Sequence, residues 1–462
     1  MLLSKPSIVN YCFLINAAIF VPLSILSPTA LWIPIVFFAF VLFSINKKFI
    51  FRNMNKAEIL TIVFLLYSII TLFWSQNIEY GVNNFFGIIL LFLAYRVYAI
   101  NIDSFSKKRM FLKVFTLSFF CTVALLFIDI YFHLGFKPWL SKIFDYYINN
   151  KKENVEFLNL FNFMKIYKAG TFSGAYNRGL AVIGIATSLI ILINKKNKLL
   201  LYSNILLTIF VISLGENSTA KFAMFFSLAF LVVMTGFKIN LIALFRIVAV
   251  FYFLAAPWLL NIIDPINWSE KKSDITEKIY ENNKKNQELA SQDIFFSKKQ
   301  LGLYINNYYL MFQDKILHRS VIWSYCASVI KESKFLGEGL YSSRIIGSKE
   351  NIVLIEKDII NNKINKEVFK KIPLHPHNNT LQIWLELGFI GIFLYCGIFY
   401  SLLSTINTKL KLNIQMRSTI FTTFTFVFFI NQSSYGLWQI WWLSALVFFI
   451  ITCTLVTKIE KL

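Results

Sequence analysis

Charge is scarce in this sequence. Only 15% of its 462 residues are Asp, Glu, Lys or Arg, while 57% are hydrophobic and 18% aromatic. Soluble domains carry about a quarter of their residues as charges, so a chain of this length could not clothe one globular body in polar surface. Acidic residues are the scarcest charges, with 24 Asp and Glu against 46 Lys and Arg and a net charge of +22. The basic excess does not mark a nucleic-acid partner. It sits mostly between apolar blocks rather than in one stripe, which is a topological signal. The five cysteines, Cys12, Cys121, Cys326, Cys396 and Cys453, show neither a disulfide framework nor metal-ligand spacing. A glycine-rich phosphate loop of the nucleotide-binding type is missing, so ATP hydrolysis by this chain is not expected. No short-period repeat occurs. The N-terminus lacks the small-residue cleavage pattern of a secretory peptide, so the first apolar block is expected to stay as a span.

What the sequence has is apolar blocks of membrane-spanning length. They fall near 9–27, 30–46, 58–74, 82–99, 110–134, 171–193, 199–214, 217–236, 239–261, 379–405, 418–432 and 438–456. About 20 helical residues cross the hydrocarbon. Lipid offers the backbone no partners, and the blocks lack the alternation of barrel strands, so helix is required. The expected fold is an all-α polytopic membrane protein of about 12 transmembrane helices, with a large helical periplasmic loop before the tenth. Residues 1–261 would hold the first nine helices and an external loop near 135–170. Residues 262–378 would form the periplasmic region, and 379–462 the last three helices.

Short-loop charge sets the orientation. Lys47, Lys48, Arg52 and Lys56, then Lys107, Lys108 and Arg109, then Lys195, Lys196 and Lys198 all fall on one side if the spans alternate. Lys238, Lys409, Lys411, Arg417, Lys458 and Lys461 fall there too. The opposite short loops, 75–81 and 433–437, contain no Lys or Arg. The basic side is therefore read as cytoplasmic, with both termini on it. Within the large loop, 270–300 reads as exposed helix or poorly ordered chain and 349–371 as a charged, mobile flap. Apolar residues at helical spacing around Leu317–Glu332 predict a helix on the membrane domain, followed by a turn at Gly337 and Gly339.

Histidine is also rare. Two of only four lie in His375-Pro376-His377-Asn378, just before the tenth span. The segment reads as an interfacial turn with Asn378 capping the next helix. It reads equally as a rigidly held base that titrates near neutrality. Gln382 and Glu386 share a face with Asn378, and a carboxylate there must be paired or wet, which suggests a cavity. His318-Arg319 with Trp323 one turn later suits phosphate binding with stacking on a sugar, or a surface arginine paired to Asp314. Tyr176-Asn177-Arg178 places a cation at the outer end of a span, facing protein, water or an anion, or snorkelling to the interface. Glu216-Asn217-Ser218-Thr219 reads as a helix cap, with Lys221 neutralising a phosphate or pairing with Glu216. His375 and His377 are too few ligands for a metal, and no acidic pair stands near them at a recognised spacing.

On these residues the chain resembles the bacterial O-antigen ligase and O-antigen polymerase superfamily. The likeness runs over nearly the whole length. It rests on the span pattern, the large loop before the tenth span, and His377-Asn378 followed by nine residues and Gly388. Arg319, Trp323 and the Gly337-x-Gly339 turn match the family's external-loop pattern. The stretch Gly174 to Asn177 is similar to a family segment with longer spacing. Family members commonly read Ser-Arg-(Thr/Gly)-Ala where this chain has Asn217-Ser218-Thr219-Ala220, so the arginine is replaced by Ser218. Lys221 or Arg178 could supply its charge, lysine as a point charge rather than a fork. The threonine that follows Gly388 in the ligase signature is also absent.

The resemblance implies a bacterial inner-membrane enzyme with its site on the periplasmic face. It would move a glycan from undecaprenyl diphosphate to a lipid A–core oligosaccharide, with no cofactor and no nucleic acid, amid membrane lipids. In this reading His377 activates the acceptor and Arg319 binds the donor diphosphate, with Arg178 or Lys221. Asn378, Glu386, Trp323, Asn177, Ser218 and His375 would support them. An O-antigen polymerase, a protein O-glycan ligase and a lipid-linked sugar transporter or flippase are the alternatives. Polar residues at the outer rim rather than at the bilayer midplane speak against transport.

Overall fold

The computed structural model describes residues 5–47, 49–132, 134, 136, 176–193, 198–215, 217–262, 319–348, 351–358, 363–409 and 414–459. The readings of 270–300 and most of the external loop near 135–170 lie outside these residues, as do Gly174, Glu216, Asp314 and His318.

Helix covers most of every stretch read as a span. The chain forms α1 (Lys5–Leu26), α2 (Trp32–Asn46), α3 (Lys56–Ile70), α4 (Ile78–Asn101), α5 (Lys108–Tyr131) and α6 (Asn177–Ile193). It continues with α7 (Lys198–Leu214), α8 (Ser218–Gly236), α9 (Ile242–Asn261) and α10 (319–332). It closes with α11 (Asn379–Lys409), α12 (Ile414–Asn431) and α13 (Ile440–Ile459). Among the described residues, 9 helices are long and apolar enough to cross a membrane, and Asn177–Ile191 and Leu199–Leu214 are apolar but shorter.

Between α10 and α11 the loop read as helical also contains strands. Residues read as a charged flap form an antiparallel hairpin, β1 (Asn351–Asp358) with β2 (Lys363–Lys370), in register from Asn351↔Lys370 to Asp358↔Lys363. The run Ile352-Val353-Leu354-Ile355 and the pair Val368-Phe369 favour extended chain. Interleaved Lys, Glu and Asn hide that preference.

The chain divides into two compact units. The first contains Met1–Ile59, Asn83–Ile247 and Ile398–Leu462. Its core mixes aliphatic side chains with stacked phenylalanines, Phe20 on Phe448 at 3.9 Å and Phe13 on Phe105 at 4.5 Å. Helix α6 is buried almost all round, as an apolar helix with no polar face should be. Its small residues make this possible: a Cβ added at Gly184 would sit 2.2 Å from the Phe426 ring. Close approach of this kind, rather than water exclusion, holds helices together in lipid. In α12, Ser418, Thr419, Thr422 and Thr423 return their hydroxyls to carbonyls four residues back, which satisfies them without a partner helix.

One buried ion pair holds the segment 49–55 in this unit. Asn55 and Glu58 form a capping box, the Glu58 amide donating to Asn55 Oδ1 at 3.0 Å and the Asn55 amide to Glu58 Oε2 at 2.7 Å. The Arg96 guanidinium donates to Glu58 Oε1 at 2.6 Å and to the carbonyls of Ile50 and Arg52. Tyr95 adds its hydroxyl to Glu58 at 2.8 Å. Removing one partner strands a buried charge, which costs about 3–5 kcal/mol. Arg96→Met should therefore lower the thermal unfolding midpoint in detergent sharply, and Arg96→Met/Glu58→Leu should recover much of the loss.

The second unit comprises Leu60–Val82 and Val248–Gly397. It contains the end of α3, most of α9, α10, the hairpin and the first half of α11.

Candidate functional site

The second unit is organised around a break. The span read at 379–405 falls within α11, and Gly388 inside that helix has φ +63° and ψ −159°. A break removes the amides that would serve the carbonyls just before it. Here other groups take their place. Leu385 O accepts from the Glu338 amide at 2.8 Å, Glu386 O from the Gly339 amide at 2.9 Å, and Leu387 O from the Tyr67 hydroxyl at 3.0 Å. The Phe389 amide in turn donates to Lys334 O at 2.8 Å.

The predicted Gly337-x-Gly339 turn is thus the piece that repairs the helix. Glycine is needed on both sides of the contact. A Cβ at Gly388 would lie 2.4 Å from Phe335 O, and one at Gly337 (φ +68°) 2.6 Å from the Glu386 carbonyl carbon. The same loop is tied to the end of α3: Trp74 donates its indole N–H to Gly337 O at 3.2 Å, and the Ser75 hydroxyl donates to Leu340 O at 2.6 Å.

Glu386 does not line a cavity. It is 0% exposed, covered by this loop. Its Oε1 accepts from the Ser343 hydroxyl at 2.5 Å and Gln382 Nε2 at 3.1 Å, and its Oε2 from the Tyr341 amide at 3.1 Å. The carboxylate therefore positions residues 341–343, including Tyr341 at φ +62°. Such a conformation is strained in a non-glycine residue and persists only where its surroundings hold it.

The His-Pro-His-Asn segment lies at the head of α11, where the cap read for Asn378 forms. Asn378 is the cap: its Oδ1 accepts from the Leu381 amide at 3.0 Å and its Nδ2 donates to the Tyr252 hydroxyl of α9 at 2.9 Å. His377, partly exposed, has φ +54°. Its amide donates to His375 Nδ1 at 3.1 Å, with the two rings 4.4 Å apart. An Nδ1 that accepts a hydrogen bond belongs to a neutral ring protonated at Nε2. Burial and then the charges of His377 and Arg344 agree, lowering His375 from 6.5 to about 3.

Trp323 donates its indole N–H to Pro376 O at 3.0 Å. Its polar edge thus braces the histidine segment. Arg319 stands one turn earlier in α10, half-buried, and burial pushes its guanidinium below the usual range. Residues four apart on a helix are neighbours, so the bond from Trp323 ties the Arg319 end of α10 to the histidines. The unit therefore links His375, His377, Asn378, Trp323, Arg319 and Glu386. Sequence reasoning missed Tyr252, Trp384 (indole N–H to Phe253 O, 2.8 Å), Lys371 (Nζ 4.6 Å from the Tyr325 ring centroid) and Arg344. A cation five residues after Gly339, in a loop already marked by its glycines, was the available signal for Arg344.

Asn177, Arg178, Ser218 and Lys221 belong to the first unit. Asn217 caps α8 through the Ala220 amide and donates from Nδ2 to Asn177 O at 2.7 Å, which also accepts from the Tyr435 hydroxyl at 3.0 Å. Tyr176 donates to the Asp129 carboxylate. The Arg178 guanidinium lies 5.6 Å from the Trp441 ring centroid. Ser218 and Lys221 are both exposed, three residues apart on α8.

Fold and site together define a polytopic helical membrane protein with a polar, histidine-bearing site at the head of a broken helix. Residues 204–396 match the family described as O-antigen ligase. A candidate polysaccharide ligase of Rickettsia felis is 37% identical over 150 residues, which is 32% of this chain and 34% of that protein. Similar proteins of Rickettsia conorii and Rickettsia bellii are 35% and 32% identical over 150 and 154 residues. These alignments cover 32% and 33% of this chain and 34% and 35% of those relatives, so the likeness spans about a third of each protein. The matched stretch, which contains the broken helix and its histidines, is therefore similar to an O-antigen ligase domain.

Two outcomes test this geometry. Gly388→Ala should loosen the loop, seen as faster limited proteolysis within 333–346 while helical content by circular dichroism is kept. His375 ties stability to pH. Its folded pKa lies below the unfolded value, so its contribution is full above 6.5 and is lost as pH falls from 6.5 towards 3. The loss approaches about 1.4 kcal/mol per pH unit. The unfolding midpoint should fall on acidification, and less steeply in His375→Gln, which keeps an acceptor without titrating in that range.

Proposed function

We propose that this chain is an inner-membrane glycosyltransferase of the O-antigen ligase kind. It moves a glycan from undecaprenyl diphosphate to a sugar hydroxyl of a lipid A–core acceptor at the periplasmic face, with both termini cytoplasmic. The observation that carries the reading is the setting of His377. It is partly exposed, held in a left-handed conformation between neutral His375 and a capped helix, and braced by the arm that bears Arg319.

In the reaction the His377 imidazole takes the proton of the acceptor hydroxyl. The acceptor oxygen attacks the anomeric carbon, the bond from that carbon to the phosphate oxygen breaks, and its electron pair leaves with the diphosphate. Direct displacement inverts the anomeric centre. Arg319 stabilises the charge that gathers on the leaving group. Imidazolium then returns its proton to solvent. The diphosphate is already an activated leaving group, so the chain's own residues suffice for these steps. Asn378 aims the histidine, Glu386 fixes the loop, and Trp323 couples Arg319 to the segment. In the other unit, Lys221, exposed near Ser218, and Arg178 are the candidates for the charge of the family's missing arginine, with Asn177 supporting them.

The purified protein should transfer glycan from the lipid-linked donor to lipid A–core, read as a mobility shift. His377→Ala should reduce turnover by about 100-fold or more with an unchanged unfolding midpoint, and Arg319→Gln should weaken donor use. Near-wild-type transfer by His377→Ala would overturn its role. Chain extension of the donor with no use of lipid A–core would make the protein a polymerase, and transfer to a protein acceptor alone would make it a protein glycan ligase. Tracer transport without transfer would reverse the reading altogether.

A further inference from the structure

The site contains a cation to which the glycan-transfer reading assigns no task. Arg344 lies in the single helical turn Ser343–Ile346, directly after the two residues to which Glu386 is bonded. Its guanidinium carbon is 4.2 Å from the Tyr80 ring centroid. Among the described residues no carboxylate reaches it as an ion pair, and no acceptor takes its guanidinium N–H groups. Contrast Arg96, whose guanidinium makes four hydrogen bonds, to Glu58 and two carbonyls. The nearby carboxylate of Glu386 is committed to neutral donors.

Three features make this an anion site rather than a spare surface charge. A guanidinium held over an aromatic ring is engaged through that contact, and its N–H groups meet no acceptor among the described residues, so they can serve a two-pronged contact. Its turn is clamped by a buried carboxylate and by a loop that completes α11, so the cation is held in place. It also stands close enough to His375, whose ring lies 4.4 Å from that of His377, for its charge to be felt there. Phosphate oxygens are the partners that match a fixed, unspent guanidinium fork.

We propose that Arg344 binds a phosphate of the lipid-linked donor beside His377, as a second guanidinium alongside Arg319, and that Glu386 acts as the positioning residue for it. A diphosphate offers two groups, so two arginines from different parts of the loop would fix its orientation as well as its charge. The inference rests on the glycan-transfer reading for the identity of the donor, though not for the existence of the anion site.

The test measures binding apart from turnover. Inorganic pyrophosphate and farnesyl diphosphate are titrated into the full-length protein in detergent, followed by tryptophan fluorescence or calorimetry, with sulfate as the control anion. Donor and acceptor KM are measured in parallel. We expect both diphosphates to bind more tightly than sulfate. Arg344→Gln should weaken them about tenfold, the loss of roughly one charge-assisted contact, and raise donor KM alone. Unchanged diphosphate affinity in Arg344→Gln overturns the proposal, as does a wild-type protein that binds neither compound. If Arg344→Gln fails to fold, Arg344→Lys decides, since it keeps a charge over Tyr80 and loses the fork. Its affinity falls severalfold if Arg344 holds phosphate and stays at the wild-type value if it only clips Tyr80. Arginine-dependent binding in a protein that transfers no glycan would keep this site and overturn the transfer reading.

Discussion

A carbonyl inside a membrane protein must find a donor, and the break at Gly388 leaves three of them without their usual helical partners. Lipid cannot supply donors, so the break is tolerable only where other protein groups do. Two come from the amides of Glu338 and Gly339 and one from the Tyr67 hydroxyl. From that requirement follow the glycines at 337 and 388, the bond from Trp74 to the loop, and the placement of residues 341–344. The site is less an addition to the helix than a consequence of interrupting it.

Glu58 and Glu386, the buried glutamates among the described residues, are handled in opposite ways. Glu58 is met by a guanidinium, and the result is a neutral clamp on the segment 49–55. Glu386 is met by an amide, a hydroxyl and a side-chain amide. Neutral donors hold a carboxylate in place without using up a cation. Among the described residues Arg344 makes no ion pair, which suits a site for a strongly anionic substrate group.

Much of this was legible in the amino-acid order. Block length and loop charge located the helical stretches, because lipid leaves a chain few options. The Asn378 cap and the helix–turn around Trp323 and Gly337 were legible because their signals are local. The hairpin at 351–370 was not, since interleaved charges disguised its strand-forming residues. Gly388 was visible as a motif residue, but its meaning was not. The Tyr67 contact that serves its broken turn joins residues 320 apart, and no local pattern encodes such a pair. Arg344 was missed for the same reason, because its significance lies in Tyr80 and His375 rather than in its own neighbours.

The exchange of partners at the break also governs how this region can open. A loop attached only by side chains could swing away with small loss, but here the backbone of α11 and the backbone of the loop complete one another. Undocking residues 334–339 would strip acceptors and donors from both at once, so the two should come apart as one cooperative unit. The amides of Glu338, Gly339 and Phe389, although one pair lies in a connecting loop, then exchange with solvent at the slow common rate of a buried helix. The head of the broken helix and the loop beside it would breathe together or not at all.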